Sequence, residues 1–213
     1  MSLPASFETS VFINCPFDEE YAPLLQAISF CVIYLDRHPR IAPENADGAA
    51  TRIDRIRDII TSSKYGIHDL SRCRSLAANE FARMNMPFEL GMDHGAQRFG
   101  VGPLASKSIL ILEQDRYDYQ RALSDIAGWD IEAHRGDFRE AMRAVRGWLI
   151  THAGSPNIGL SAIVGKYVAF QEWYFERELA NGATEEDITR YPTITLVNAM
   201  MEWRQLGEPT ELN

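Results

Sequence analysis

The sequence predicts an α/β fold: a flavodoxin-like, doubly wound, five-stranded parallel sheet with a C-terminal helical extension. Three observations predict it. Short apolar runs alternate with helical patterns through roughly the first 150 residues, which builds a parallel sheet covered on both faces. Five β–α steps fit that length, the size of a flavodoxin-like sheet. Beyond Gly154, Ser155, Pro156 and Asn157 the strand patterns stop and helical spacing alone remains. The expected division is an α/β domain over 8–153 and a helical segment over 154–213.

The first strand is the apolar run Val11, Phe12 and Ile13, which stops at Asn14, Cys15 and Pro16. Asp18 and Glu19 then open an amphipathic helix with Leu24, Leu25, Ile28, Val32 and Leu35 on its apolar stripe. His38 to Pro43 is a poorer strand, and its prolines suit a sheet edge. Asp47 and Gly48 mark a turn, and Thr51 caps a helix bearing Ile53, Ile56, Ile59 and Ile60. Tyr65, Gly66, Ile67, His68 and Asp69 read as a third strand ending in a carboxylate.

A polar loop over 71–83 leads to a helix that Pro87 starts and that runs to about Phe99. Its buried stripe is expected to be Phe88, Met92, Ala96 and Phe99, with Glu89 and Asp93 at the rim. Residues 108–112 are apolar after the leading serine and form the fourth strand. A helix over 117–127, a short strand near 130–133 and a helix over 138–150 complete the unit. In the tail, Leu160, Ile163, Val164, Tyr167, Phe170 and Tyr174 share a helical stripe, read as core or interface packing. Gly182 ends that helix, Thr184 opens a capping motif, and a last helix runs from about Thr193 to Gly207.

Bulk properties narrow the function classes. The 213 residues carry 21 basic and 30 acidic side chains, a formal charge of −9. Residues 1–153 net −4 and 154–213 net −5, so sequence-independent binding to a nucleic-acid duplex is not expected. The three cysteines (Cys15, Cys31 and Cys73) show no C-x-x-C spacing, which fits reduced thiols better than a disulfide framework. Met1 to Ser10 has neither the basic nor the apolar region of a signal peptide, and charges interrupt every apolar stretch. A cytoplasmic protein without a membrane span is the expectation.

Ligands of open parallel sheets bind outside the carboxyl ends of the strands, where the strand order switches. That rule gathers Asn14 after strand one, Asp47 and Arg52 after strand two, His68, Asp69 and Ser71 after strand three, and Glu89 at the next helix start. Pro87 at the first helical position puts Glu89 in the first turn, where the helix dipole stabilises an anion by about 0.3–1 kcal/mol. A carboxylate held ionised serves as a nucleophile or steadies an oxocarbenium ion; a glutamate there also serves as a plain end charge. Gly91 and Gly95 permit close approach to the helix backbone. His68 is expected to pack sideways. His68, Asp69, Cys73 and His94 lack standard zinc spacing, so no metal is expected. The motifs of serine hydrolases, P-loop NTPases and Rossmann dehydrogenases are not found.

Three stretches carry a resemblance: Val11 through Asp18 (VFINCPFD), Gly66 through Ser71 (GIHDLS), and Asn85 through Gly91 (NMPFELG). Together they resemble bacterial TIR-like proteins, which are related in fold to nucleoside 2-deoxyribosyltransferases. The resemblance spans roughly residues 10 to 150. It implies Glu89 as the glutamate directed at the sugar's anomeric carbon and Asp69 as the strand-end aspartate of the catalytic pair. Asn14, Pro16, Asp47, Arg52, Ser71 and Asp93 then take nucleotide-facing positions. Pro87 stands where the transferases carry small residues.

The expected function is cleavage of an N-glycosidic bond in a nucleotide or nucleoside, by an NAD glycohydrolase-like or deoxyribosyltransferase-like hydrolase. NAD enters as a substrate, with no cofactor. The alternative is a non-catalytic TIR-like module that senses a nucleotide or assembles with itself. The helical tail favours a homo-oligomer.

Overall fold

A computed structural model describes residues 5–44, 51–72 and 84–211. Five strands, β1 (Ser10–Asn14), β2 (His38–Ile41), β3 (Tyr65–Asp69), β4 (Ser108–Glu113) and β5 (Ile131–Ala133), form one all-parallel sheet in the order 2-1-3-4-5. This is the flavodoxin-like order. The chain runs outward from β1 to the edge strand β2, then crosses back to place β3 on the other side of β1. The order therefore switches between β1 and β3, and in that pair Asn14 lies abreast of His68. Every residue of β1 and β3 is buried, as a sheet covered on both faces requires.

Helices α1 (Ala22–Tyr34) and α4 (Phe138–Ala153) cover one face, and α2 (Arg52–Thr61) and α3 (Asn85–Phe99) the other. Strand alternation assigns the side chains. Val11, Ile13, Tyr65 and Ile67 join the core under α1 and α4, whereas Phe12 packs with Ile56, Ile59 and Ile60 of α2. The predicted cap of α2 is present, with Thr51 Oγ1 accepting the Asp54 N–H at 3.3 Å.

The C-terminal helices α5 (Leu160–Ala180), α6 (Glu185–Arg190) and α7 (Thr193–Gln205) follow a left-handed Gly154. The α5 stripe of Ile163, Val164, Tyr167, Phe170 and Tyr174 belongs to the same buried cluster as the sheet, and so do Val197, Met200 and Trp203 of α7. Phe30 of α1 is the meeting point, with ring centroids 5.1 Å from Tyr167, 5.8 Å from Phe170 and 6.0 Å from Trp203. Burying such a phenylalanine is worth about 1.5–3 kcal/mol. α1 is thus apolar nearly all round rather than amphipathic, because the tail covers the side that would otherwise meet solvent. Among the described residues no helix is long and apolar enough to cross a membrane.

Three expectations on α/β elements are corrected. The helix over 117–127 is instead two short 3-10 turns, Asp118–Arg121 and Ser124–Ile126. Tyr117 is left-handed at φ 70°, and the Glu113 carboxylate takes the N–H groups of Tyr117 and Tyr119 at 2.6 and 3.3 Å. The helix α3 begins at Asn85, so Pro87 is its third residue, where a missing N–H still costs nothing. Glu89 consequently lies beyond the first turn, and the helix-dipole argument for its ionisation fails.

The buried face of α3 is also turned. Phe88 is 61% and Phe99 88% exposed, while Glu89 and Asp93 are buried with Met86 and Leu90. Met92 and Ala96 are half-buried against Phe12 and the α2 isoleucines. Ionic partners on the sheet side, described next, set this rotation in place of apolar spacing.

Candidate functional site

Two polar networks flank the switch point, one on each face of the sheet. On the α2–α3 face, Asn14 Nδ2 donates to Met86 O at 3.0 Å and to His68 Nδ1 at 2.9 Å. An accepting Nδ1 puts the His68 proton on Nε2, which donates to Asp93 Oδ2 at 2.9 Å. Asp93 Oδ1 receives Lys107 Nζ at 3.0 Å. That ammonium also donates to Ile60 O at 2.8 Å and to Ser63 O. Burial pushes the Asp93 carboxyl up, but His68 and Lys107 outweigh it and hold it below the usual range. Burial pushes the Lys107 amine down despite Asp93. His68 is therefore a connector, and Asp93 is locked inward rather than facing a nucleotide.

Gly66 makes this packing possible. A Cβ there would stand 2.2 Å from Asp93 Oδ2 and 2.9 Å from His68 Nε2. Glycine removes the obstruction between β3 and α3, one turn from Glu89.

Glu89 lies on the same face, 2% exposed, with Oε1 2.9 Å from a guanidinium nitrogen of Arg52. The Arg52 side chain is 46% exposed. Burial raises the Glu89 pKa, and the Arg52 guanidinium, with His68 nearby, only partly offsets it. Desolvation thus outweighs its one cationic partner, and no helix-dipole stabilisation of the carboxylate adds to that partner. Asn14 Oδ1 is buried and accepts no hydrogen bond among the described residues.

Asp69 belongs to the opposite face. Its Oδ2 accepts from Tyr21 Oη at 2.6 Å and from His134 Nε2 at 2.9 Å. Its Oδ1 accepts the Ser71 N–H at 2.8 Å and the Ser71 hydroxyl. Burial pushes the carboxyl up, and the His134, Ser71 and Tyr21 donors more than reverse that, leaving it lowered. Four donors fill its acceptor sites, so Asp69 anchors the strand end and has no position left for a ribose hydroxyl.

Asp69, His134 and Ser71 do not form a nucleophilic triad. His134 Nδ1 accepts the Gly136 N–H at 3.0 Å, so Nε2 alone faces both Asp69 and Ser71. Activating a serine requires the acid and the hydroxyl on opposite ring nitrogens. Cys15, at the end of β1, is no nucleophile either: burial pushes its thiol up, and the charges of Asp69, Glu89 and Asp18 push it further.

The predicted residues therefore divide. Asn14, Arg52, Glu89 and Asp93 come together on one face, and Asp69 with Ser71 on the other. Pro16 is buried in the β1–α1 connection. Asp47 and Cys73 lie outside the described residues, among which no three His, Cys, Asp or Glu side chains gather as a metal site. Sequence reasoning missed Tyr21, Lys107 and His134. The strand-end rule applied to β5 would have found His134, whereas nothing local singles out Tyr21 or Lys107. A cavity of about 710 Å³ lies apart from both networks, beside the part of β4 that β5 leaves unpaired and lined by His94, Trp129, Trp148 and His152.

Compared with known proteins, the chain matches no family model, no curated protein and no solved structure.

Proposed function

We propose that the Glu89 crevice cleaves the N-glycosidic bond of a nucleotide, in the manner of the TIR-like and deoxyribosyltransferase-like proteins its motifs resemble. The observation that carries this reading is Glu89 itself: a buried carboxylate of raised pKa at the β1/β3 switch point, held by one half-exposed arginine. Asn14 Oδ1, on the same face of the sheet and unpartnered among the described residues, supports the reading, because it can accept a ribose hydroxyl. A substrate phosphate would draw Arg52 outward and release Glu89. As the C1′–N bond breaks, its electron pair leaves with the base and Glu89 steadies the oxocarbenium ion. Water then adds to C1′ and gives its proton to Glu89, whose raised pKa makes it the better base. Asp69 acts by holding the strand end, revising its expected role in catalysis.

The test incubates purified protein with NAD and with nucleosides and follows free base by chromatography. Glu89→Gln is expected to abolish base release with an unchanged circular dichroism spectrum, and full activity in that variant refutes the reading. One feature favours the alternative of a nucleotide-sensing module: the Arg52 pair closes Glu89 off in the unliganded chain. Nucleotide binding without free base would select it.

A further inference from the structure

Helix α3 buries two carboxylates beside Met86 and Leu90 and leaves apolar side chains on its outer face. Its sheet side carries Glu89 and Asp93, and its solvent side carries Met84 at the N-cap, Phe88, Gly91, Gly95, Arg98 and Phe99. Met84, Phe88, Gly91, Gly95 and Arg98 follow one another at one helical turn, and Phe99 flanks Arg98 on the same face. Met84 is 49%, Phe88 61% and Phe99 88% exposed, and Val101 just beyond is 84% exposed. Arg98 is the single formal charge on this strip, in a chain of net charge −9. Surface helices normally show the reverse arrangement.

We propose that this face of α3 is a homodimer interface, in which two copies cross antiparallel about a two-fold axis near residue 93. The occupant is argued from self-complementarity, which a two-fold interface requires. Phe88 and Phe99 stand almost equidistant from residue 93, and Gly91 and Gly95 stand on either side of it. An antiparallel pair therefore sets Phe88 of each copy against the partner's Phe99. The glycines meet at the centre, where the lack of side chains lets the backbones approach. Among the described residues no atom outside the helix backbone lies within 4 Å of a Cβ built on Gly91, so none of them uses that hollow. From the areas that such side chains offer, the strip exposes about 500 Å² of apolar surface per copy, or about 1,000 Å² for a pair, where specific interfaces begin. The interface would lie on the outer side of the helix that holds Glu89, but the proposal stands independently of any N-glycosidic activity.

Sedimentation equilibrium from roughly 1 to 200 µM tests it, a range that resolves micromolar association. The intact chain is expected to reach twice the single-chain mass. Phe88→Ser/Phe99→Ser and, separately, Gly91→Leu are each expected to weaken association at least about tenfold. Gly91→Leu keeps the test decisive if the double variant misfolds, because leucine favours the helix and its Cβ meets nothing among the described residues. A single-chain mass throughout, or a dimer whose dissociation constant is unmoved by Gly91→Leu in a folded variant, overturns the proposal.

Discussion

Lys107→Met probes a fully buried ion pair. In the native chain the ammonium donates to Ile60 O and Ser63 O and pairs with Asp93 Oδ1 at 3.0 Å, and both side chains of the ion pair are 0% exposed. Removing the cation strands the Asp93 charge, and breaking a buried pair in this way costs about 3–5 kcal/mol. Ile60 O keeps the Ser63 N–H at 3.4 Å, so that carbonyl adds little. The expected loss at neutral pH is about 4 kcal/mol, a large part of the 5–15 kcal/mol that holds a typical domain together. Urea unfolding followed by the fluorescence of the four tryptophans measures it. Without Lys107, burial raises the Asp93 pKa, so its penalty applies above that pKa and shrinks as acid neutralises it. The loss should therefore be smaller near pH 5 than at pH 7. Asp93→Asn in the same chain removes the stranded charge and should recover about 2–3 kcal/mol. A loss under about 1 kcal/mol, or strict additivity in the double variant, would refute the assignment of this pair as a buried ionic lock.

Gly66→Ala places a methyl 2.2 Å from Asp93 Oδ2 and should cost about 1–3 kcal/mol in the same urea assay. Asp93→Ala should relieve most of that cost, and an unrelieved cost would locate the strain elsewhere. Asp69→Asn should flatten acid unfolding. A carboxylate whose folded pKa is depressed adds stability above its unfolded value of about 3.9, which is lost as pH falls through the folded value. Urea midpoints between about pH 5 and 2 should thus fall more steeply for the native chain than for the variant. Glu89→Gln, which removes a carboxylate disfavoured by burial, should raise the midpoint slightly at pH 7 and lose that gain in acid, where Glu89 is protonated. A lowered midpoint at pH 7 would contradict its raised pKa.

Sequence determined the sheet, because a strand buried on both faces reads as a mainly apolar run, and β1 and β4 were legible on that ground. Prolines set β2 at the edge, since a central strand needs every N–H. The strand-end rule located Asn14, Asp69 and Ser71, and the helix after β3 brought Glu89 to the same end of the sheet. Tertiary structure decided the rest. Strand alternation sends His68 to one face and Asp69 to the other, so residues adjacent in the chain serve different networks. The rotation of α3 was illegible from spacing because its deepest residues are charged. Asp93 turns inward only where Lys107, from a distant part of the chain, and the bare backbone of Gly66 receive it, and that inward turn leaves Phe88 and Phe99 outside. The Glu89 pKa rises for a similar reason: its burial comes from packing across elements, and no local pattern encodes that desolvation.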